Sequence, residues 1–169
     1  MKNRITKSRN TCLVLATLFL CLSILTCVQT TSANTPERTL PDIPGWTGDN
    51  AETRTLLSEK EEEGRMTERS YRKNGRPELV RAIMLEGPGT EWLSFPKNHP
   101  EGSDGPAGTG ATYKTLEILG KDAILENHPV LGYSLAVRLD TESTLTIETK
   151  AEETLLLDFA RNLLELLTE

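Results

Sequence analysis

After residue 27 the chain contains no cysteine; Cys12, Cys21 and Cys27 are the three it has. A chain processed beyond that point has no disulfide, no thiolate nucleophile and no cysteine-ligated metal. Histidine is almost as scarce, with only His99 and His128, and neither sits in a His-x-x-x-His pattern. A metal site would have to draw on His99, Glu101, Asp104 and His128, and their spacing matches no zinc pattern. The alternating aspartates of a calcium loop are missing around Asp104. Gly-x-Ser-x-Gly is absent, which removes the familiar serine-hydrolase elbow. The glycine-rich stretch 102–110 lacks the Lys that must follow the last glycine of a phosphate loop, and strand-like residues follow it. No cofactor and no metal are therefore expected. Paired carboxylates are too common here to inform. Glu86 at a strand end and Glu91 beside Trp92 are the pair that could line a pocket.

The N-terminus is basic and then apolar. Lys2, Arg4, Lys7 and Arg9 precede an apolar run from Cys12 to Val28, and Thr31-Ser32-Ala33 offers the small residues a signal peptidase needs. Residues 1–33 read as a secretory signal peptide. An uncleaved anchor is the alternative, although the apolar core is slightly short for a full span. A third reading uses Cys27. The stretch Ile24-Leu25-Thr26-Cys27 resembles the lipobox of bacterial lipoproteins, with Thr26 where a smaller residue is usual. Removing the leader takes four of the 19 basic residues and none of the 25 acidic ones, leaving a formal charge near −10. Such a surface disfavours nucleic acid and anionic lipid, and no basic stripe interleaves with aromatics. Membrane contact is expected only through the leader or a lipid anchor.

Residues 34–44, dotted by Pro36, Pro41 and Pro44, read as a tether, and residues 45–169 as a single domain with Trp46 as its first core anchor. Arg54 to Lys60 reads as a strand, turning at Glu63-Gly64. Arg65 to Lys73 and Glu78 to Glu86 flank Asn74-Gly75, a dipeptide suited to a tight hairpin because both residues tolerate positive φ. The second arm is apolar on both faces through Leu79, Val80, Ala82, Ile83, Met84 and Leu85, so a central strand covered on each side is expected. Pro88 to Gly110 has no clear secondary structure. Loops of that length are functional or disordered. Trp92 and Phe95 are its candidate contact residues, or they close the open end of the sheet. Tyr113 to Leu119 and Lys121 to Asn127 return to strand character.

The clearest unit is C-terminal. In Val130 to Leu139, Tyr133, Leu135, Val137 and Leu139 share one face; in Thr144 to Thr149, Leu145 and Ile147 do. The polar residues between the two runs suit a four-residue hairpin. The period then lengthens. Leu155, Leu156, Phe159, Leu163, Leu166 and Leu167 recur at three- and four-residue steps, which predicts an amphipathic helix of about four turns. Thr149 and Glu152 have the spacing of a capping box at its start.

The order of Leu40-Pro41-Asp42-Ile43-Pro44-Gly45-Trp46, a hairpin, the His128-Pro129 turn, two strands and a leucine-rich helix resembles small exported bacterial domains of Mog1/PsbP-like architecture. The resemblance is one of pattern and covers most of the chain beyond the leader. It implies an accessory or binding role and carries no functional residue across.

The expected fold is α+β: an antiparallel sheet of about five to seven strands with the C-terminal amphipathic helix packed on one face. The expected function is that of an exported, non-enzymatic envelope protein, in the periplasm, lipid-anchored or secreted. It would bind a small ligand or a protein. Two other classes stay open: a secreted carboxylate-based hydrolase and a lipid-anchored structural lipoprotein.

Overall fold

The computed structural model describes residues 38–57, 63–87, 101–103 and 108–168. They form one antiparallel sheet and one helix, an α+β fold. The strands are β1 (Trp46–Gly48), β2 (Glu52–Leu57), β3 (Glu63–Lys73), β4 (Leu79–Glu86), β5 (Glu101–Ser103), β6 (Thr112–Ile118), β7 (Lys121–His128), β8 (Gly132–Arg138) and β9 (Ser143–Thr149); α1 is Glu153–Thr168. Across the sheet the order is β1-β3-β4-β9-β8-β7-β6-β5, with β2 beside β1 on the same edge of β3. Two runs of neighbouring strands, β1–β4 and β5–β9, thus join where β9 lies against β4.

Nine strands exceed the five to seven expected. The surplus comes from short pieces. β1 and β2 pair with successive parts of β3, Tyr71–Lys73 and Glu63–Glu68, as one interrupted edge. β5 adds three residues at the opposite edge, inside the stretch expected to lack structure.

One face of the sheet is apolar because alternate residues are. Val80, Ala82 and Met84 of β4 lie opposite Thr149, Ile147 and Leu145 of β9; Leu135 and Val137 of β8 continue the rows, followed by Leu125 and Ala123 of β7. All but Thr149 are apolar core residues, at most 2% exposed. The helix seals this face with Leu156, Phe159, Ala160, Leu163 and Leu164. The alternation and the leucine stripe thus meet as expected.

The other face is not covered by any described element, which corrects the expectation for β4. The strand is central, between β3 and β9, but its burial alternates: Leu79 is 47% exposed and Ile83 and Leu85 are half-buried. A continuous apolar run here marks one buried face and one semi-exposed face.

The stretch expected as a tether is partly outside the described residues, at 34–37. From Arg38 onward it packs. Leu40 and Ile43 are core residues. Arg69 Nη1 donates to the Leu40 carbonyl at 2.8 Å and its guanidinium pairs with Asp42, while Tyr71 Oη donates to the Pro41 carbonyl at 2.9 Å. Arg38 reaches Asp140 at 2.8 Å and Ser143 at 2.7 Å. The prolines set an extended strap whose two branched side chains complete the core.

Turns also differ from expectation. Glu63-Gly64, expected as a turn, instead opens β3 and pairs with the end of β2. At Asn74-Gly75 only the glycine takes positive φ, 75°, and Arg76 N donates to the Lys73 carbonyl, so this is a type II turn in a longer connection. β6 and β7 are joined by Leu119-Gly120, both with positive φ, 50° and 75°, the tight primed turn of a two-residue hairpin. β8 begins at Gly132, not Val130, because His128 Nδ1 accepts the N–H groups of Val130 (3.1 Å) and Leu131 (3.0 Å) and holds them in the turn. The capping box is also absent. Thr149 Oγ1 donates to the Leu79 carbonyl and accepts from Ala151 N, and Glu152 takes the cap position, its carbonyl accepting the Leu156 N–H. Thr149 still belongs to the sheet, so it is unavailable to the helix.

Candidate functional site

The uncovered face carries a cleft of about 700 Å³. Its floor follows from strand register. Arg81 of β4 lies opposite Glu148 of β9, Glu148 opposite Ser134 of β8, and Ser134 opposite Glu126 of β7. Two residues toward the strand ends, Gly132 lies opposite His128. β8 thus presents only small residues, Gly132 and Ser134, between two rows of larger ones, and that difference in height makes the trough. Glu126 and Glu148 stand one strand to either side of Ser134, roughly 10 Å apart at Cα from the ordinary strand spacing.

Gly132 cannot be replaced without rebuilding this corner. Its φ is 92°, and a Cβ would lie 2.4 Å from the Thr149 carbonyl oxygen. The close approach draws the end of β9 against the start of β8.

The first wall is an ion-pair network. Arg81 makes a two-pronged pair with Glu68, Nε to Oε1 at 2.7 Å and Nη2 to Oε2 at 2.8 Å, and its Nη1 lies 3.4 Å from Glu148 Oε2. The hydrogen bond to Arg81 holds the Glu68 carboxyl below its ordinary pKa, and the same bond raises that of Arg81. Arg81 thus bridges the two carboxylates. On the opposite wall Glu126 is half-buried and makes no hydrogen bond or ion pair with another described residue. His128 uses Nδ1 for the turn, so its ring proton sits on Nε2.

The rim is apolar and exposed: Pro77, Leu79 and Leu131, the last 65% exposed, with Val130 next to it. Tyr133 also lines the cleft, as does Glu78, whose Oε2 is buried without a hydrogen-bond partner. Chemically this is an amphipathic recess: an apolar mouth, a polar floor and carboxylates on both sides. Ser134 has no hydrogen-bonded base among the described residues.

Most of the residues singled out in the sequence are not among those the structure describes. Trp92, Phe95, Glu91, His99, Asp104 and the leader with Cys27 lie outside the described residues. Glu86 faces the helix side and accepts from Arg65 at 2.5 Å, so it is part of a cross-strand pair and not of a pocket. Of the four residues on which a metal site would have to draw, His128 lines the cleft, and among the described residues no His/Cys/Asp/Glu group could hold a metal ion. Arg81, Glu126, Ser134 and Glu148 belong to no motif in the sequence. A faint signal existed: Arg81 interrupts the most apolar strand of the chain, which is unfavourable unless its face is open and paired.

No family model, curated protein or solved structure matches this chain. The Mog1/PsbP-like resemblance accordingly rests on the sequence pattern alone. Among the described residues no helix is long and apolar enough to cross a membrane.

Proposed function

We propose that this chain is an exported envelope protein acting as a non-enzymatic accessory or binding module, and that it holds its ligand in the open-face cleft. One observation carries the reading: a recess of about 700 Å³, within the range of ligand sites, lies on a sheet face that no described element covers. Its polar groups are arranged to hold and orient. Arg81 and Glu148 are committed to a fixed ion-pair network, which costs no reorganisation when a ligand arrives. A purely structural lipoprotein has no use for such a recess.

The test is shift mapping by NMR on the ¹⁵N-labelled protein with a set of small aromatic fragments of positive, neutral and negative charge. Amide shifts confined to residues 126–134 and 148–150, and lost in Ser134→Trp, support the reading. Shifts scattered over the surface, or unaffected by the tryptophan that fills the trough, remove it.

The hydrolase reading draws on Glu126 and Glu148 flanking Ser134, because acid/base pairs need carboxylates facing across a substrate. Glu148 is held by Arg81, which suits a fixed anion better than a proton donor. Turnover of a glycoside or ester panel that vanishes in both Glu126→Gln and Glu148→Gln would establish that alternative.

A further inference from the structure

The tip of the β3–β4 connection reverses the sign of the molecule. The chain beyond the leader has a formal charge near −10. Yet an open recess of about 470 Å³ at this tip is lined by Arg72, Lys73 and Arg76 and by no carboxylate. Salt screens exposed charges beyond about 8–10 Å, so an ion at the tip feels mainly these cations and not the acidic remainder.

The recess offers hydrogen-bond donors. Arg72 lies opposite Thr47 in the β1–β3 pair, so the two share a face. Arg72 is exposed and makes no hydrogen bond or ion pair with another described residue. Thr47 Oγ1 donates to Asn74 Oδ1 at 2.7 Å, which engages the amide oxygen and leaves the Nδ2 donors without a partner among the described residues. Arg76 is 61% exposed, and its ion pair with Glu78 is loose, 3.7 Å and beyond hydrogen-bond reach. Lys73 lies over the Trp46 ring, 5.7 Å from its centre, on the helix side, and contributes charge but no contact.

We propose that this tip binds a phosphate-type oxyanion through the guanidinium groups of Arg72 and Arg76 and the Asn74 amide. A planar guanidinium meets such an anion with paired N–H donors. The site shares only Pro77 with the cleft and stands whether or not the cleft holds a ligand. A free phosphate ester and a phospholipid headgroup present the same chemistry to it.

The experiment titrates inorganic phosphate into the ¹⁵N-labelled protein, with sodium chloride at matched ionic strength as the control. Phosphate should shift the amides of Thr47 and residues 72–76 along a saturating curve, and chloride should not. Arg72→Gln, at an exposed position, should weaken binding about tenfold, the worth of a charged hydrogen bond. Glu78→Gln releases Arg76 and should tighten it. No saturable shift at the tip, equal shifts with chloride, or an unchanged Kd in both Arg72→Gln and Arg76→Gln overturns the proposal. Phosphatidylcholine vesicles with and without phosphatidic acid separate the two sources. Cosedimentation that requires both phosphatidic acid and Arg72 assigns the site to a headgroup. Phosphate binding without cosedimentation assigns it to a free phosphate ester.

Discussion

Trp46 and Phe159 meet edge to face, their ring centroids 4.8 Å apart, and Tyr71 meets Phe159 in the same manner at 5.1 Å. The first strand, the long third strand and the terminal helix are therefore locked at one fully buried ring. Phe159→Ala should cost about 3–5 kcal/mol, the loss of a buried aromatic plus the cavity it leaves. Total stability of a domain this size is about 5–15 kcal/mol, so the variant should unfold at much lower urea. Phe159→Asp, which also buries a charge, should give no folded protein. Urea unfolding followed by Trp fluorescence and circular dichroism measures both. A folded, soluble Phe159→Asp would mean that the leucine stripe faces a partner and not this sheet.

Tyr71 ties the strap to the sheet through its bond to the Pro41 carbonyl. Burial raises its pKa from the ordinary 10 to about 12, against the opposing charge of Arg69. The folded state therefore holds the phenolic proton more tightly than the unfolded chain does. Its contribution to stability is complete below pH 10 and lost as pH rises to about 12. Absorbance titration at alkaline pH should show one tyrosine ionising late, and only in the folded protein. Tyr71→Phe should remove that step and cost about 1 kcal/mol for the lost hydrogen bond. A tyrosine titration without a late component would contradict the burial of this hydroxyl.

Asp140 sets the acid limit. Burial pushes its pKa up, but hydrogen bonds from Ser143, the Glu142 N–H and Arg38, together with the Arg38 charge, outweigh burial and bring it down to about 2. The sign is opposite to that of Tyr71: the stabilisation is present above the ordinary 3.8 and is lost as pH falls through about 2. Asp140→Asn should be less stable at neutral pH and should lose less stability between pH 4 and pH 2. Thermal melts across that range decide it. Equal slopes for the variant and the parent would show that Arg38 does not hold this carboxylate in solution.

Leu119 occupies the first position of a two-residue turn with φ of 50°, a conformation that leucine tolerates poorly, and it is 52% exposed. Leu119→Asn should stabilise the protein by about 1 kcal/mol, since asparagine enters the left-handed region at little cost and no burial is lost. A rise in melting temperature is the readout. A fall would mean that the exposed leucine is covered in solution.

Leu119 also shows where the sequence ceased to be informative. Period-two alternation in β8 and β9 and the three–four spacing of α1 were legible because each is local and each faces one core. A Leu-Gly hairpin was not, because leucine carries no turn signal. Arg38, Leu40 and Pro41 read as linker because their partners, Asp140, Arg69 and Tyr71, lie about 30 or 100 positions away. The cleft is the extreme case. Arg81, Glu148, Ser134 and Glu126 become neighbours only through the order β4-β9-β8-β7, and no local period encodes which strand lies beside which. Trp92 and Phe95 drew notice in the sequence through their chemistry, whereas the residues of the cleft are ordinary ones made notable by register.

The leader offers a prediction with three separable outcomes. Thr31-Ser32-Ala33 fits signal peptidase, and Thr26 is larger than the residue a lipobox usually places before its cysteine. Intact mass of the protein from soluble and membrane fractions should therefore give an N-terminus at Asn34. A diacyl or triacyl mass on Cys27 would make it a lipoprotein instead, and the consequence is geometric. Residues 28–37 span at most roughly 35 Å when fully extended. With Arg38 fixed to Asp140, the domain would then be held within that distance of the bilayer. A mass that retains Met1 in the soluble fraction would overturn export, and with it the envelope setting in which an acidic, cysteine-free domain was placed.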